Sequence, residues 1–141
     1  YKFYMSNNLE LTAVYGVTPA TKQPIVKITK VFEDAENKRL VFTSERDIPN
    51  NYTVLEHGIL LSRDNEILRG RIPLTLDYDG TLIKCTSITK GHVGTYSANK
   101  KIVDEVRTWG AVAYVIYQKP NGEVKTLYSD LVKKKYLTDN I

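Results

Sequence analysis

Cysteine is nearly absent: Cys85 stands alone in 141 residues, which excludes a disulfide, a C-x-x-C pair and a cysteine-built zinc cluster within the chain. It sits in the strand-like run LIKCTSI, where a free thiol behaves as a small buried hydrophobe. Long apolar runs are missing too. No stretch approaches the roughly 18 consecutive apolar residues of a membrane span, and no secretory signal opens the chain. The first residue is Tyr1 rather than Met, which reads as a piece cut from a longer protein, any export signal lying outside it. Nor does one sign of charge dominate. Twenty Lys and Arg against 16 Asp and Glu leave a net charge of +4, scattered from Lys2 to Lys135. A nucleic-acid partner would want a concentrated basic face with stacking aromatics, so none is expected. The densest basic run, Lys133 to Lys135, reads as a solvated tail. There is no G-x-S-x-G elbow, no H-E-x-x-H and no G-x-x-x-x-G-K-[ST] loop.

What the chain does have is alternation. LELTAVY sets Leu9, Leu11, Ala13 and Tyr15 against Glu10, Thr12 and Val14, as a half-buried strand requires. IPLTLDY repeats the pattern, with Ile72, Leu74, Leu76 and Tyr78 on one side and Pro73, Thr75 and Asp77 on the other. Strand-like runs also cover 25–32, 38–45, 52–62, 81–88, 110–118 and 123–132, separated by turn signals such as EDAEN, IPNN, SRDNE, KGHVG and KPNG. A chain of this length supports one well-buried domain. Many short strands with polar turns predict an all-β antiparallel sandwich, with Val26, Ile28, Leu40, Phe42, Leu60, Leu74, Leu76, Val115 and Val124 inside. One window competes: Ile102, Val106 and Trp109 have helical spacing, with Asn99 placed to cap the start and Gly110 the end. A short helix over 99–109 and an irregular crossover between sheets both fit.

The sharpest string is LDYDGTL, from Leu76 to Leu82. It resembles the D-x-D-G-T-L signature of the haloacid-dehalogenase superfamily, a resemblance that would make Asp77 a phosphoryl-accepting nucleophile and Asp79 its proton-handling partner. That chemistry needs later βα units bearing a Ser or Thr, a Lys and an acidic pair for magnesium. The residues after Leu82 are mostly strand-like and contain no G-D-x-x-x-D. The physical alternative is a hairpin, Asp79-Gly80 forming a tight corner between strands 72–78 and 81–88, with positive φ at Gly80 and Asp77 turned outward.

Other candidate groups are ordinary. His57 lies within a strand pattern and His92 in a glycine-flanked turn. EDAE (33–36) and RDNE (63–66) could hold calcium loosely, but they lack the spacing of a dedicated site and read as solvated turns. No catalytic residue, metal ligand or cofactor is expected.

Over residues 25–132 the chain resembles a divergent fibronectin type III or immunoglobulin-like module of Gram-positive bacterial surface proteins. The resemblance rests on EHGILLS, GTYSA and WGAVAYVIYQKPNGEVKTLYSD, with Ala113 and Tyr114 at the A-Y of the family's penultimate strand. It implies that the last two strands pair through KPNG and that Tyr128 with Ser129 closes the sheet; segment 63–110 departs from the family's middle strands. YKFYMSNNLELTAVYG resembles the closing stretch of a small surface-protein β repeat. Together these imply a tail strand at 1–16, a linker at 17–24 stiffened by Pro19 and Pro24, a sandwich at 25–136 and a tail at 137–141. They imply an extracellular or cell-surface setting, a non-catalytic spacer or adhesion platform, and neighbouring modules, host proteins or cell-wall glycans as partners. Some such modules carry Lys to Asn isopeptide crosslinks; no spacing here identifies a pair. The alternative is a carbohydrate-binding module. Ten Tyr and one Trp offer stacking faces, and Trp109 is the residue placed against the sugar, although the same ring fits as a plug between sheets.

Overall fold

The computed structural model describes residues 23–87, 91–102 and 108–136. The tail strand at 1–16, most of the linker and the C-terminal tail lie outside them. Among the described residues the elements run β1 (Ile25–Asp34), β2 (Arg39–Asp47), β3 (Thr53–Ser62), α1 (Asn65–Leu68), β4 (Ile83–Thr86), β5 (Val93–Lys101), β6 (Thr108–Gln118), β7 (Val124–Tyr128) and β8 (Val132–Lys135). They form two antiparallel sheets. The first is ordered β1-β2-β5 and the second β4-β3-β6-β7, with β8 also on β6. This is an all-β sandwich whose fourth strand pairs in the sheet of the third and sixth.

Alternation places the core between the sheets. Leu40 and Phe42 of β2, Tyr96 and Ala98 of β5, Ile59 and Leu61 of β3, and Ala111, Ala113 and Val115 of β6 point inward and are buried. The intervening residues of β3 and β6 should face water, and they do not. Leu60, Val112 and Tyr114 are buried in a second cluster with Ile67 of α1 and Leu74. The connection from residue 63 to 82 lies over the outer face of the second sheet. Strands buried on both faces read as continuous apolar runs, which is why β6 is spelled TWGAVAYVIYQ.

That covering layer overturns two expectations. IPLTLDY is not a strand: residues 71–82 form no ladder. Both edges of β3 are already paired, with β4 and with β6, so no vacant edge remains to receive it. Its alternation is that of an extended chain lying flat on a sheet, dropping Leu74, Leu76 and Tyr78 onto the second cluster while Ile72 stays 41 % exposed. The peptide is held by a bond from Leu76 N to Tyr128 Oη at 3.0 Å instead of a ladder. Asp79-Gly80 is consequently not a hairpin corner, and Gly80 is not among the glycines with positive φ.

Of the two readings of 99–109, a short helix or an irregular crossover, the helix fails at both ends. Asn99 pairs with Val41 and Gly110 with Ser62, both in strands, so neither caps a helix; residues 103–107 lie outside the described residues. The KPNG turn is as expected: Lys119 N bonds Glu123 O at 2.8 Å and Gly122, at φ 92°, closes β6 onto β7. Val124 was placed in the core and is 53 % exposed, because it sits at the mouth of that hairpin opposite Gln118. On the outer edge of β6, β7 stops at Tyr128 and β8 starts at Val132. Ser129 bridges the gap, donating its N–H to Ala113 O at 2.9 Å and accepting Ala113 N on its Oγ at 2.9 Å.

Leu60 is fully buried in the outer cluster. Leu60→Ala should cost about 2 to 5 kcal/mol and Val124→Ala less than about 0.5 kcal/mol, read as shifts in denaturation midpoint at constant slope.

Candidate functional site

The ladder between β3 and β6 slips by one residue between Val54 and Glu56. Leu55 is the bulged residue and is 50 % exposed, and such bulges re-aim the side chains beside them. Beyond the bulge, His57 turns inward, its ring tilted on Tyr96 at 4.8 Å between centroids, and Glu56 turns to the outer face. A partly open cavity of about 300 Å³ lies at this corner, lined by Val54, Leu55, Glu56, His57, Thr86, Ser87 and Gly91.

Glu56 accepts two hydrogen bonds on one oxygen, from Tyr114 Oη at 2.6 Å and from Lys84 Nζ at 2.9 Å. Three strands thereby meet: β3 supplies Glu56, β4 Lys84 and β6 Tyr114. Gly58 makes room for the tyrosine, since a Cβ there would lie 2.2 Å from Cys85 O and 2.9 Å from the Tyr114 ring. The Tyr114 hydrogen bond, then Lys84, holds the Glu56 carboxyl below its usual range. Burial, reinforced by that carboxylate, pushes the Tyr114 phenol up. At neutral pH Glu56 is ionised and Tyr114 protonated. A group serving as acid or base works best with a pKa near the working pH, and both are driven away from it. The trio fastens three strands, with Glu56 on the cavity wall.

LDYDGTL makes a second fastener. Asp64, just before α1, accepts from Tyr78 Oη and, at 2.8 Å, from Thr81 N; Ser62 Oγ donates to Thr81 O at 2.6 Å and receives Asp64 N at 3.2 Å. The tyrosine bond holds the Asp64 carboxyl low, and Asp64 pushes Tyr78 up to about 12. Gly80 is needed for space, since a Cβ there would lie 2.3 Å from Tyr78 Oη and 2.6 Å from Asp64 Oδ2. Asp77 is exposed and accepts from Thr75 Oγ1, and Asp79 is exposed. Among the described residues no group of three His, Cys, Asp or Glu could hold a metal ion.

The remaining sequence candidates are dispersed. Asp34 of EDAE closes its own turn, accepting from Asn37 Nδ2 and Arg39 Nε, each at 2.9 Å. His92 Nε2 lies 2.7 Å from Tyr52 O and pins a loop. Cys85 is half-buried, and burial pushes its thiol up, away from a nucleophile's range. Trp109 is 4 % exposed in the inter-sheet core, with Lys100 Nζ 5.1 Å and Arg63 5.8 Å from its ring centre. Its face is covered by the protein's own cations.

Sequence reasoning missed Glu56, Lys84 and Tyr114, which are far apart in the chain and match no motif. It also missed Arg46, 2 % exposed, whose Nε donates to Gly91 O at 3.0 Å and whose guanidinium lies 5.6 Å from the Tyr96 ring centre. A signal existed: Arg46 occupies an inward position in the alternation Leu40, Phe42, Ser44, Arg46, where a charge requires partners.

Tyr114→Phe should lower stability at pH 7 by about 1.5 to 2 kcal/mol, the lower part of the range for a bond to a charged group. Because the carboxyl of Glu56 is depressed on folding, this contribution is present above the unfolded pKa of about 4.3 and is lost as pH falls through the lower folded value. The gap between wild type and variant should therefore close in acid, measured by urea melts from pH 7 to pH 3. Gly80→Val should lower the melting temperature, since a Cβ there crowds both the Tyr78 ring and the Asp64 carboxylate that its hydroxyl binds, read by thermal melts of the two proteins.

Set beside known proteins, the chain matches no family model, no curated protein and no solved structure.

Proposed function

We propose that this domain is a non-catalytic module of a bacterial cell-surface or secreted multidomain protein, serving as a spacer that holds its neighbours apart and offers a platform for adhesion. The observation that carries the reading is the placement of the first and last strands among the described residues. Ile25 opens β1 in the row Ile25, Asp47, Val93. The chain continues from Asp47 to Tyr52, whose ring stacks on Tyr117 at 5.2 Å, so this row shares a pole with Thr53 and Gln118. Lys135 ends β8 opposite Thr108, at the far end of β6. The chain thus crosses the sandwich from pole to pole, the geometry that lets modules follow one another in a row.

The polar constellations support the same reading, since each acid with a shifted pKa at the bulge and in the covering loop is spent on joining elements of the fold. A sugar-binding role would use exposed aromatic faces. Trp109, Tyr114 and Tyr136 are buried, and among the described residues Phe32, 38 % exposed with Lys30 Nζ 4.9 Å from its ring centre, is the exposed aromatic. The Gram-positive surface setting rests on the resemblance of residues 25–132 and 1–16 to such modules.

A folded neighbour joined to each end should be held roughly 35 Å apart, the span of an eleven-residue strand, in small-angle scattering or dye-to-dye distance measurements. Neighbours lying side by side would sink the spacer reading. The protein should show no saturable uptake of soluble cell-wall polysaccharide by calorimetry. Saturable uptake, lost in Phe32→Ala at unchanged melting temperature, would favour a carbohydrate-binding module instead.

A further inference from the structure

Among the described residues the two sheets present four outer edges, and three are blunted in the ways that keep edges from pairing. β1 is broken by an irregularity between Ile28 and Lys30. β4 is four residues long. The β7 and β8 edge is interrupted at residues 129–131 and ends in three lysines. β5 has none of these devices. It holds one unbroken register with β2 over nine residues, from Arg39↔Lys101 to Asp47↔Val93, has no proline, and is uncharged until Lys100. Gly94, at φ 149°, faces Arg46 and leaves the register intact.

The direction of the β5 peptide groups follows from the two bonds that flank its ladder. Ile102 N donates to Lys38 O at 2.8 Å and Ile48 N to His92 O at 2.9 Å, which makes both flanking pairs hydrogen-bonded pairs. Such pairs alternate along an antiparallel ladder. Gly94, Tyr96, Ala98 and Lys100 therefore bond β2, and the N–H and C=O groups of Val93, Thr95, Ser97, Asn99 and Lys101 point to the open edge. The side chains of these same five residues line the exposed outer face.

We propose that this edge pairs antiparallel with the same edge of a second copy about a two-fold axis at Ser97, joining two three-stranded sheets into one of six strands. The strand is self-complementary in that register. Ser97 meets Ser97 of the other copy, Thr95 meets Asn99 and Val93 meets Lys101, so the outward peptide groups of Val93, Thr95, Ser97 and Asn99 gain partners, the Lys101 carbonyl exchanges its bond from Lys100 Nζ at 2.9 Å for one across the edge, and no like charges face each other. Shifting the axis to Thr95 or Asn99 leaves part of the strand unpaired. Among the described residues, the edge of the other sheet on that side, beyond β3, is the short β4. The partnership is independent of the spacer reading, because it rests on the strand alone.

Sedimentation of the full chain up to about 1 mM should show a reversible monomer–dimer equilibrium, weak as befits a small interface. Ser97→Lys, which sets two lysines across the axis, should weaken it roughly tenfold or more at unchanged melting temperature. In a Cys85→Ser background, mild oxidation should crosslink Ser97→Cys, since a hydrogen-bonded pair lies about 5.5 Å apart at Cα. Thr95→Cys should not crosslink, because the two copies of residue 95 stand roughly four residues apart along the strands, about 13 Å. A monomer at every concentration overturns the proposal. So does a dimer indifferent to Ser97→Lys, or equal crosslinking from positions 95 and 97.

Discussion

Strand β6 is enclosed on every side, and the rest of the domain is arranged around that enclosure. β3 pairs along one edge, β7 and then β8 along the other, the first sheet packs on its inner face and the 63–82 connection on its outer face. Its apolar side chains leave water on both faces, each fully buried aliphatic contributing about 1.5 to 3 kcal/mol. Every peptide group on it must then find a partner, since an unmade bond in such a place costs about 1 to 3 kcal/mol. Ser129 exists where the outer edge would otherwise leave Ala113 without its ladder bonds. The long connection between β3 and β4 is explained in the same way, as the lid that a doubly apolar strand requires.

Covering a sheet with an irregular segment brings polar groups against apolar surface, and the two carboxylate fasteners answer that problem. Asp64 gathers Tyr78 and Thr81 at the start of the lid, and Glu56 gathers Tyr114 and Lys84 at its open side. Each tyrosine lays its ring on the outer cluster and sends its hydroxyl to a carboxylate at the rim. The depressed carboxyls and raised phenols follow from this sharing. They resemble the perturbed groups of an active site, yet their partners lie within the scaffold, which is the structural origin that perturbed pKa values often have.

The surface divides according to the same plan. The second sheet has its outer face occupied by the lid, whereas among the described residues nothing lies over the outer face of the first sheet, with a row of Thr, Ser and Asn along β5 and the linked hydroxyls of Thr43 and Ser97 at 2.9 Å. A domain whose described chain passes from pole to pole leaves its flanks available. The flank with an unguarded edge is the one through which the proposed pairing of two copies would run, across the pole-to-pole direction.

The amino-acid sequence by itself determined the strand class, most strand positions and part of the core. Alternation in 25–32 and 38–45 and the apolar run at 110–118 follow from local backbone geometry, in which each residue's facing depends only on its neighbours. The KPNG turn is equally local, its geometry resting on Gly122. The tertiary structure alone decided what IPLTLDY is, because an extended chain resting on a sheet has the same period of two as a strand within one, and only the occupied edges of β3 tell them apart. It likewise turned LDYDGTL from a hairpin corner into a clasp on Asp64, a residue 13 positions before Asp77. Trp109 had two readings until the neighbouring sheet covered it. Glu56, Lys84 and Tyr114 carried no local mark at all, since their meeting depends on a one-residue slip at Leu55 and on the pairing of three strands, and a contact made by long-range register leaves no trace in any short window of sequence.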